Sequence, residues 1–130
     1  MKQIKIESII NMVEKLCIKS NHYLGNDILS CLKKSYDIEE SDTGKHVIKQ
    51  IINNAKIAQN EKIAICQDTG MVVAFIEIGC DVHVVGGSIT DAVNEGVRRG
   101  YKKGYLRKSI VSDPIKRVNT KDNTPAVIHY

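Results

Sequence analysis

Cys66-Gln67-Asp68-Thr69-Gly70 sets a thiol, an amide, a carboxylate and a hydroxyl in a row between two apolar segments, and ends on a glycine. Four polar groups at the entrance of a buried strand need partners. A tight loop closed by Gly70 can aim several of them at one point. On composition alone, a polar turn with a stray cysteine is the commoner explanation of such a short stretch. The other cysteines, at 17, 31 and 80, make no C-x-x-C pair with Cys66 or with one another, which argues against a self-contained zinc site. His22, His46, His83 and His129 are scattered, and no two share a metal-ligand spacing.

Two further stretches change the weighing. Ile65-Cys66-Gln67-Asp68-Thr69-Gly70 resembles the P-I-C-Q-D-T-G signature of class I fumarases and L-tartrate dehydratases, with Ala64 in place of the proline. Leu106-Arg107-Lys108-Ser109-Ile110-Val111-Ser112-Asp113-Pro114 is similar to their L-R-K-S-x-V-x-D-P segment. Asn119-Thr120-Lys121-Asp122-Asn123-Thr124-Pro125-Ala126 is similar to N-T-x-D-N-T-P-A. One such match is weak; three in the family's order are strong.

The resemblance implies the N-terminal part of the α-type unit of an iron–sulfur hydro-lyase acting on a four-carbon hydroxy-dicarboxylate, malate/fumarate first and L-tartrate second. By position, Cys66 resembles the first of three cysteines that hold a 4Fe–4S cluster. Gln67 and Asp68 match residues that contact substrate, Asp68 also as a catalytic group that orients a hydroxyl or relays a proton. Arg107 matches the arginine that holds a substrate carboxylate. Cys17, Cys31 and Cys80 match none of the family's remaining cluster ligands, which lie further along, and the catalytic base is not assigned. The resemblance also implies a β subunit or C-terminal domain as partner, and an oligomer.

The elements that must position these residues follow from periodicity. Ile6, Ile9, Ile10, Val13, Leu16 and Cys17 recur at helical spacing and predict a first helix, with Cys17 as a small core hydrophobe. Residues 21–26 read as a loop. Asp27 is a candidate cap for a second helix through Tyr36 that buries Ile28, Leu29 and Leu32, with Cys31 beside that stripe in a structural role. A third helix starts near Ser41 or Thr43, runs to about Gln59 and buries Val47, Ile48, Ile51, Ile52 and Ala55.

Residues 71–78 are apolar and β-branched and predict a strand buried on both faces. Gly79-Cys80-Asp81 reads as a turn and leaves Cys80 without a role. Val82-His83-Val84-Val85 alternates, and a hairpin with the preceding strand is expected. Gly86-Gly87 ends it, and Ser88 or Thr90 caps a helix to about Lys103 that buries Ala92, Val93, Gly96, Val97, Gly100 and Tyr101. Two glycines four apart weaken a helix, so a close neighbour is expected there. The tail is rich in turn residues and ends on 126–130, which reads as a strand without a partner; on that ground the chain looks truncated.

The fold class expected is α+β, as one domain over 1–130: a helical layer, then a small sheet with a packed helix and an irregular tail. The 130 residues are 42% hydrophobic and 26% charged, an ordinary globular composition. The net charge of +4 is dispersed, apart from the cluster Arg98, Arg99, Lys102, Lys103, Arg107 and Lys108. That cluster reads as a solvated face except for Arg107, so no nucleic-acid surface is expected. No apolar run approaches the ~20 residues of a membrane helix, and no signal peptide is read, so a cytoplasmic location is the default. The rival reading is a non-catalytic regulatory or subunit-interaction domain that keeps the fold.

Overall fold

The computed structural model describes residues 2–130. Half of the chain is helical, with a few short parallel strands, an α+β fold as expected. It divides into two compact units: residues up to Ile18 together with Gln67–Tyr130, and Lys19–Cys66.

The first unit opens with strand β1 (Lys2–Lys5), which no sequence pattern announced. Helix α1 (Ile6–His22) follows without a break, and its residues from 19 onward belong to the second unit. The α1 stripe buries Ile10 and Cys17, as expected, but Leu16 is exposed. Strand β1 pairs in parallel with the strand formed by Val82–Val85, in the register Lys2↔Val82 to Lys5↔Val85.

Two strands correct the sequence reading. Of residues 71–78 only Val73–Phe75 forms a ladder, and it is not buried on both faces: Val72, Ala74 and Ile76 are half-buried, whereas Met71, Val73 and Phe75 are exposed, Phe75 by 81%. Nor does this strand, β2, make a hairpin with β3 (Val82–Val85). A turn does form at Gly79, whose carbonyl accepts from Val82 N–H at 3.0 Å. It sends the two strands into different sheets. The strand near the end of the chain, β4 (Val127–His129), has a partner after all: it pairs in parallel with β2, Val73↔Val127 to Phe75↔His129. Its flanking groups are satisfied as well, by Val127 N–H to Val72 O at 2.9 Å and Ile76 N–H to His129 O at 2.8 Å. Parallel pairs need long crossovers, and no local pattern marks which distant strand closes one.

Helix α4 (Ile89–Lys103) matches its reading closely. Ser88 is the N-cap, its hydroxyl accepting from Asp91 N–H, and the six expected residues are the buried ones. The two glycines make the expected close approach. A Cβ on Gly96 would lie 2.6 Å from Val13 Cβ and 2.8 Å from Ile10 O; one on Gly100 would lie 2.8 Å from Cys17 Cβ. The backbones of α1 and α4 therefore touch where a side chain would separate them. Ion pairs Arg99–Glu7 (2.7 Å) and Lys103–Glu14 (2.8 Å) flank the seam.

In the second unit, α2 (Asn26–Ile38) lies against α3 (Asp42–Glu61). Ser41 caps α3 by accepting from Gly44 N–H at 3.3 Å, and Lys62 ends it in a left-handed conformation. Its buried residues are Ile52, Ala55 and Ala58; Val47 and Ile51, expected inside, are exposed. Helix α2 begins at Asn26 behind Gly25, not on an Asp27 cap, and fully buries nothing; Ile28 and Cys31 are exposed.

The seam between α1 and α4 generates a test. Gly96→Ala forces the two backbones apart. Overpacking of this kind costs about 1–3 kcal/mol, only partly offset by the ~1 kcal/mol by which Ala favours a helix interior over Gly. The variant should unfold at a lower denaturant concentration. A midpoint at or above that of the native chain would mean that the seam is loose.

Candidate functional site

After Lys62 the chain is irregular up to Gly70. Ile65 N–H donates to Asn21 O at 2.9 Å, and Ile65 O accepts from Asn54 Nδ2 at 2.8 Å, so the approach to Cys66 is fixed within the second unit. Cys66 is the last residue of that unit and is exposed. Gln67 and Asp68, the first residues of the other unit's long segment, are exposed too. The Asp68 carboxylate turns back on its own loop, Oδ1 accepting from Gly70 N–H at 3.2 Å.

From Thr69 onward the loop is anchored. Thr69 is buried, and its hydroxyl donates to Arg107 O at 2.8 Å. The Tyr101 hydroxyl, at the end of the α4 stripe, reaches Thr69 O at 2.6 Å and Gly70 O at 3.3 Å. Gly70 has φ +62, and a Cβ there would meet nothing within 4 Å. The glycine is needed for its left-handed backbone and not for space.

The second stretch leaves α4 through Leu106, which is buried and donates its N–H to Tyr101 O at 3.0 Å. Arg107 holds the loop through its carbonyl while its side chain is exposed. Beyond it, Ser112 N–H reaches Val118 O at 2.8 Å and Thr120 N–H reaches Ile110 O at 2.9 Å, an irregular antiparallel contact. Asn119 Nδ2 ties this stretch to Lys108 O at 2.8 Å.

The third stretch carries its own turns. Asp122 Oδ1 accepts from Thr124 N–H at 3.0 Å and from its hydroxyl at 2.7 Å, just ahead of the cis Thr124–Pro125 bond. Helix α4 supports this stretch from outside, Arg98 Nε donating to Asp122 Oδ2 at 3.1 Å and Asn94 Oδ1 accepting from Ala126 N–H at 2.9 Å. Asn123, 0% exposed, gathers all three stretches. Its Oδ1 accepts from Ser109 N–H at 2.7 Å and Ile110 N–H at 3.3 Å, and its Nδ2 donates to Gly70 O at 3.1 Å.

The structure thus brings the backbones that carry Asp68 and Arg107 together, through residues the sequence reading did not single out. It quoted Asn123 within a motif and placed Tyr101 in the core. The available signal was that a buried tyrosine hydroxyl needs a partner and that asparagine tolerates the left-handed backbone seen here, φ +63.

Among the described residues no group of three His, Cys, Asp or Glu side chains is placed to hold a metal ion, and no disulfide forms. Cys17 is buried, and desolvation pushes its thiol up to about 11 against a smaller opposing backbone hydrogen bond. That makes it a core residue and a poor thiolate. Cys66, exposed on the loop, suits a metal ligand better, but it offers a single sulfur.

The family model described as fumarate hydratase (Fumerase) matches residues 10–130, and the chain belongs to that family. It is 33% identical over 116 residues to the "Putative L(+)-tartrate dehydratase subunit alpha" of Methanocaldococcus jannaschii, covering 88% of this chain and 40% of that protein. It is 30% identical over 109 residues to "Fumarate hydratase 2" of Leishmania major, covering 82% of this chain and 19% of that protein. With the "L(+)-tartrate dehydratase subunit alpha" of Escherichia coli K12 it shares 25% over 123 residues, 95% of this chain and 40% of that protein. The chain therefore spans well under half the length of these relatives.

Asp122 supplies a pH test. Burial alone would raise its carboxyl, but hydrogen bonds from the Thr124 hydroxyl and backbone, and then from Arg98, outweigh that and hold it below its ordinary value. A folded-state pKa below the unfolded one stabilises above the unfolded value, ~4 for Asp, and the gain is lost as pH falls through the folded value. The melting temperature should drop below about pH 4. Asp122→Asn should melt lower at neutral pH and lose less on acidification; an acid slope as steep as the native one would remove Asp122 from that balance.

Proposed function

We propose that this chain is part of the α-type catalytic unit of a hydro-lyase that reversibly dehydrates a four-carbon hydroxy-dicarboxylate, malate/fumarate as first choice and L-tartrate as second. One observation carries the reading: the three stretches that resemble the family's motifs, far apart in sequence, are joined through the carboxamide of Asn123. Family membership and the names of the relatives support it.

In this reading the Arg107 guanidinium grips a substrate carboxylate through paired N–H donors. The Gln67 amide donates to a substrate oxygen. Asp68, whose carboxylate accepts from Gly70 N–H, orients the substrate hydroxyl or relays a proton. Cys66 is one thiolate ligand of a 4Fe–4S cluster, the usual role for Cys at such centres. Since among the described residues no group of three His, Cys, Asp or Glu side chains is placed to hold a metal ion, the remaining ligands come from outside these residues, and the 130-residue chain alone should be inactive. When bound, the cluster supplies a Lewis acid for the departing hydroxyl. A β subunit or C-terminal domain completes the site in an oligomer, in the cytoplasm. No helix of the described residues is long and apolar enough to cross a membrane.

The direct test is turnover of malate, fumarate and L-tartrate by the anaerobically purified, assembled enzyme; if none reacts, the substrate class is wrong. Cys66→Ser should lose the visible iron–sulfur absorbance together with activity, whereas Cys17→Ser should keep both. Arg107→Lys keeps the charge and loses the fork. If the arginine stabilises charge in the transition state, kcat falls; if it only captures substrate, KM rises. Kinetics identical to the native enzyme would return Arg107 to the solvated basic face.

A further inference from the structure

Asn123 makes three side-chain hydrogen bonds, and none closes its own turn. The turn at 119–124 is held by other groups: Asn119 Oδ1 accepts from Lys121 N–H at 2.6 Å and Asp122 Oδ1 accepts from Thr124 N–H at 3.0 Å. The partners of Asn123 lie 13, 14 and 53 residues away in sequence. A residue kept for its turn would bond locally. This one spans two other segments.

The geometry is demanding. The site is fully buried, needs an acceptor toward Ser109 and Ile110 and a donor toward Gly70 O, and has φ +63. Aspartate tolerates the backbone but lacks the donor, and glycine has no side chain. Glutamine has the groups on a chain one methylene longer. Thr69 closes the ring from the other side through its hydroxyl on Arg107 O, and Tyr101 holds the Thr69 and Gly70 carbonyls from α4. Segments 69–70 and 107–110 are thus cross-linked twice, once directly and once through a carboxamide.

We infer that Asn123 is a positioning residue. Its carboxamide sets the separation of the Gly70 and Ser109 peptides, and through them the placement of the Gln67–Asp68 loop relative to Arg107. Tyr101 assists by fixing the Thr69 carbonyl. The inference rests on the proposed function for its catalytic consequence, but the clamp itself is a property of this chain.

The test uses Asn123→Asp, Asn123→Ala and Tyr101→Phe in the assembled enzyme. Asn123→Asp keeps the size and the acceptor and replaces the donor with an oxygen facing the Gly70 carbonyl. A displacement of about 1 Å in a reacting group costs roughly 100-fold in rate, so kcat/KM should fall by about that factor. Part of it should return as pH is lowered, when the introduced carboxyl protonates and can again donate. Tyr101→Phe should lose less, mainly in kcat. Amide hydrogen exchange is read in parallel, and Asn123→Ala should speed exchange at Ser109 and Ile110 while Asn123→Asp leaves it slow. If the variants melt lower yet match native kcat, KM and pH profile below their melting point, the role is structural only and the inference fails. If the native enzyme turns over no dicarboxylate, the proposed function falls; exchange still decides the clamp, and unchanged Ser109 and Ile110 protection in Asn123→Ala would overturn it. Should both Asn123 variants fail to fold, Tyr101→Phe with native kinetics overturns the inference alone.

Discussion

A buried carboxamide must satisfy both of its ends, because an unpaired donor or acceptor away from water costs about 1–3 kcal/mol. At Asn123, among the described residues, peptide groups of two other segments do so. The second half of the first unit depends on that requirement. Its stretches 67–70, 105–114 and 119–126 contain almost no ladder structure. Loops of this kind would wander if their backbone groups were left to solvent. They are held by side chains that act as substitutes for a missing strand, and Asn123 is the one that touches all three.

That arrangement needs a fixed platform, and α4 provides it. Asn94, Arg98 and Tyr101 fall on one stripe of the helix, and each bonds to a site stretch: Asn94 to Ala126, Arg98 to Asp122, Tyr101 to Thr69. Another stripe, Gly96 and Gly100, lies flat on α1. One helix thus meets its neighbour with glycines and holds the loops with polar side chains. The depth to which α4 sinks toward α1 sets the height of the stripe that carries the loops. A methyl group inserted at Gly96 is then felt in the loops as well as in the helix pair.

How much of this was legible in the sequence depends on how local each cause is. Helix α4 could be read because its cap and buried face are written within a few turns, and the glycines announced a close neighbour by their cost. Cys17 could be read because it sits on a stripe. The strand pairings could not. Their partners lie 80 and 54 residues apart in sequence, and β1, with the sequence Lys-Gln-Ile-Lys, carries no strand pattern at all. The exposed Val47, Ile51 and Ile28 show the opposite limit: periodicity marks a face that can be buried and does not say that a neighbour covers it. The three site stretches were recognised by likeness, yet what joins them was hidden. Asn123 looks like a turn former in a turn-rich tail, and its partners lie as far as Gly70.

The division between backbone and side chain at the site has a chemical consequence. Thr69, Leu106 and Asn123 are buried, while Gln67, Asp68 and Arg107 on the same segments are exposed. The peptide groups spend their hydrogen bonds on the fold, and the side chains proposed to act on substrate stay exposed on a fixed base. Polar groups stabilise developing charge best when they need not reorganise as the reaction proceeds. For an arginine fork and a loop carboxylate, the ordering entropy is large if the backbone beneath them is mobile. Here it is met during folding, by a core in which one asparagine, one tyrosine and one threonine lock the segments before any ligand arrives. Since the locking groups are buried and bond as neutral partners, the geometry they impose should vary little with salt. A site assembled from surface ion pairs would lack that insulation.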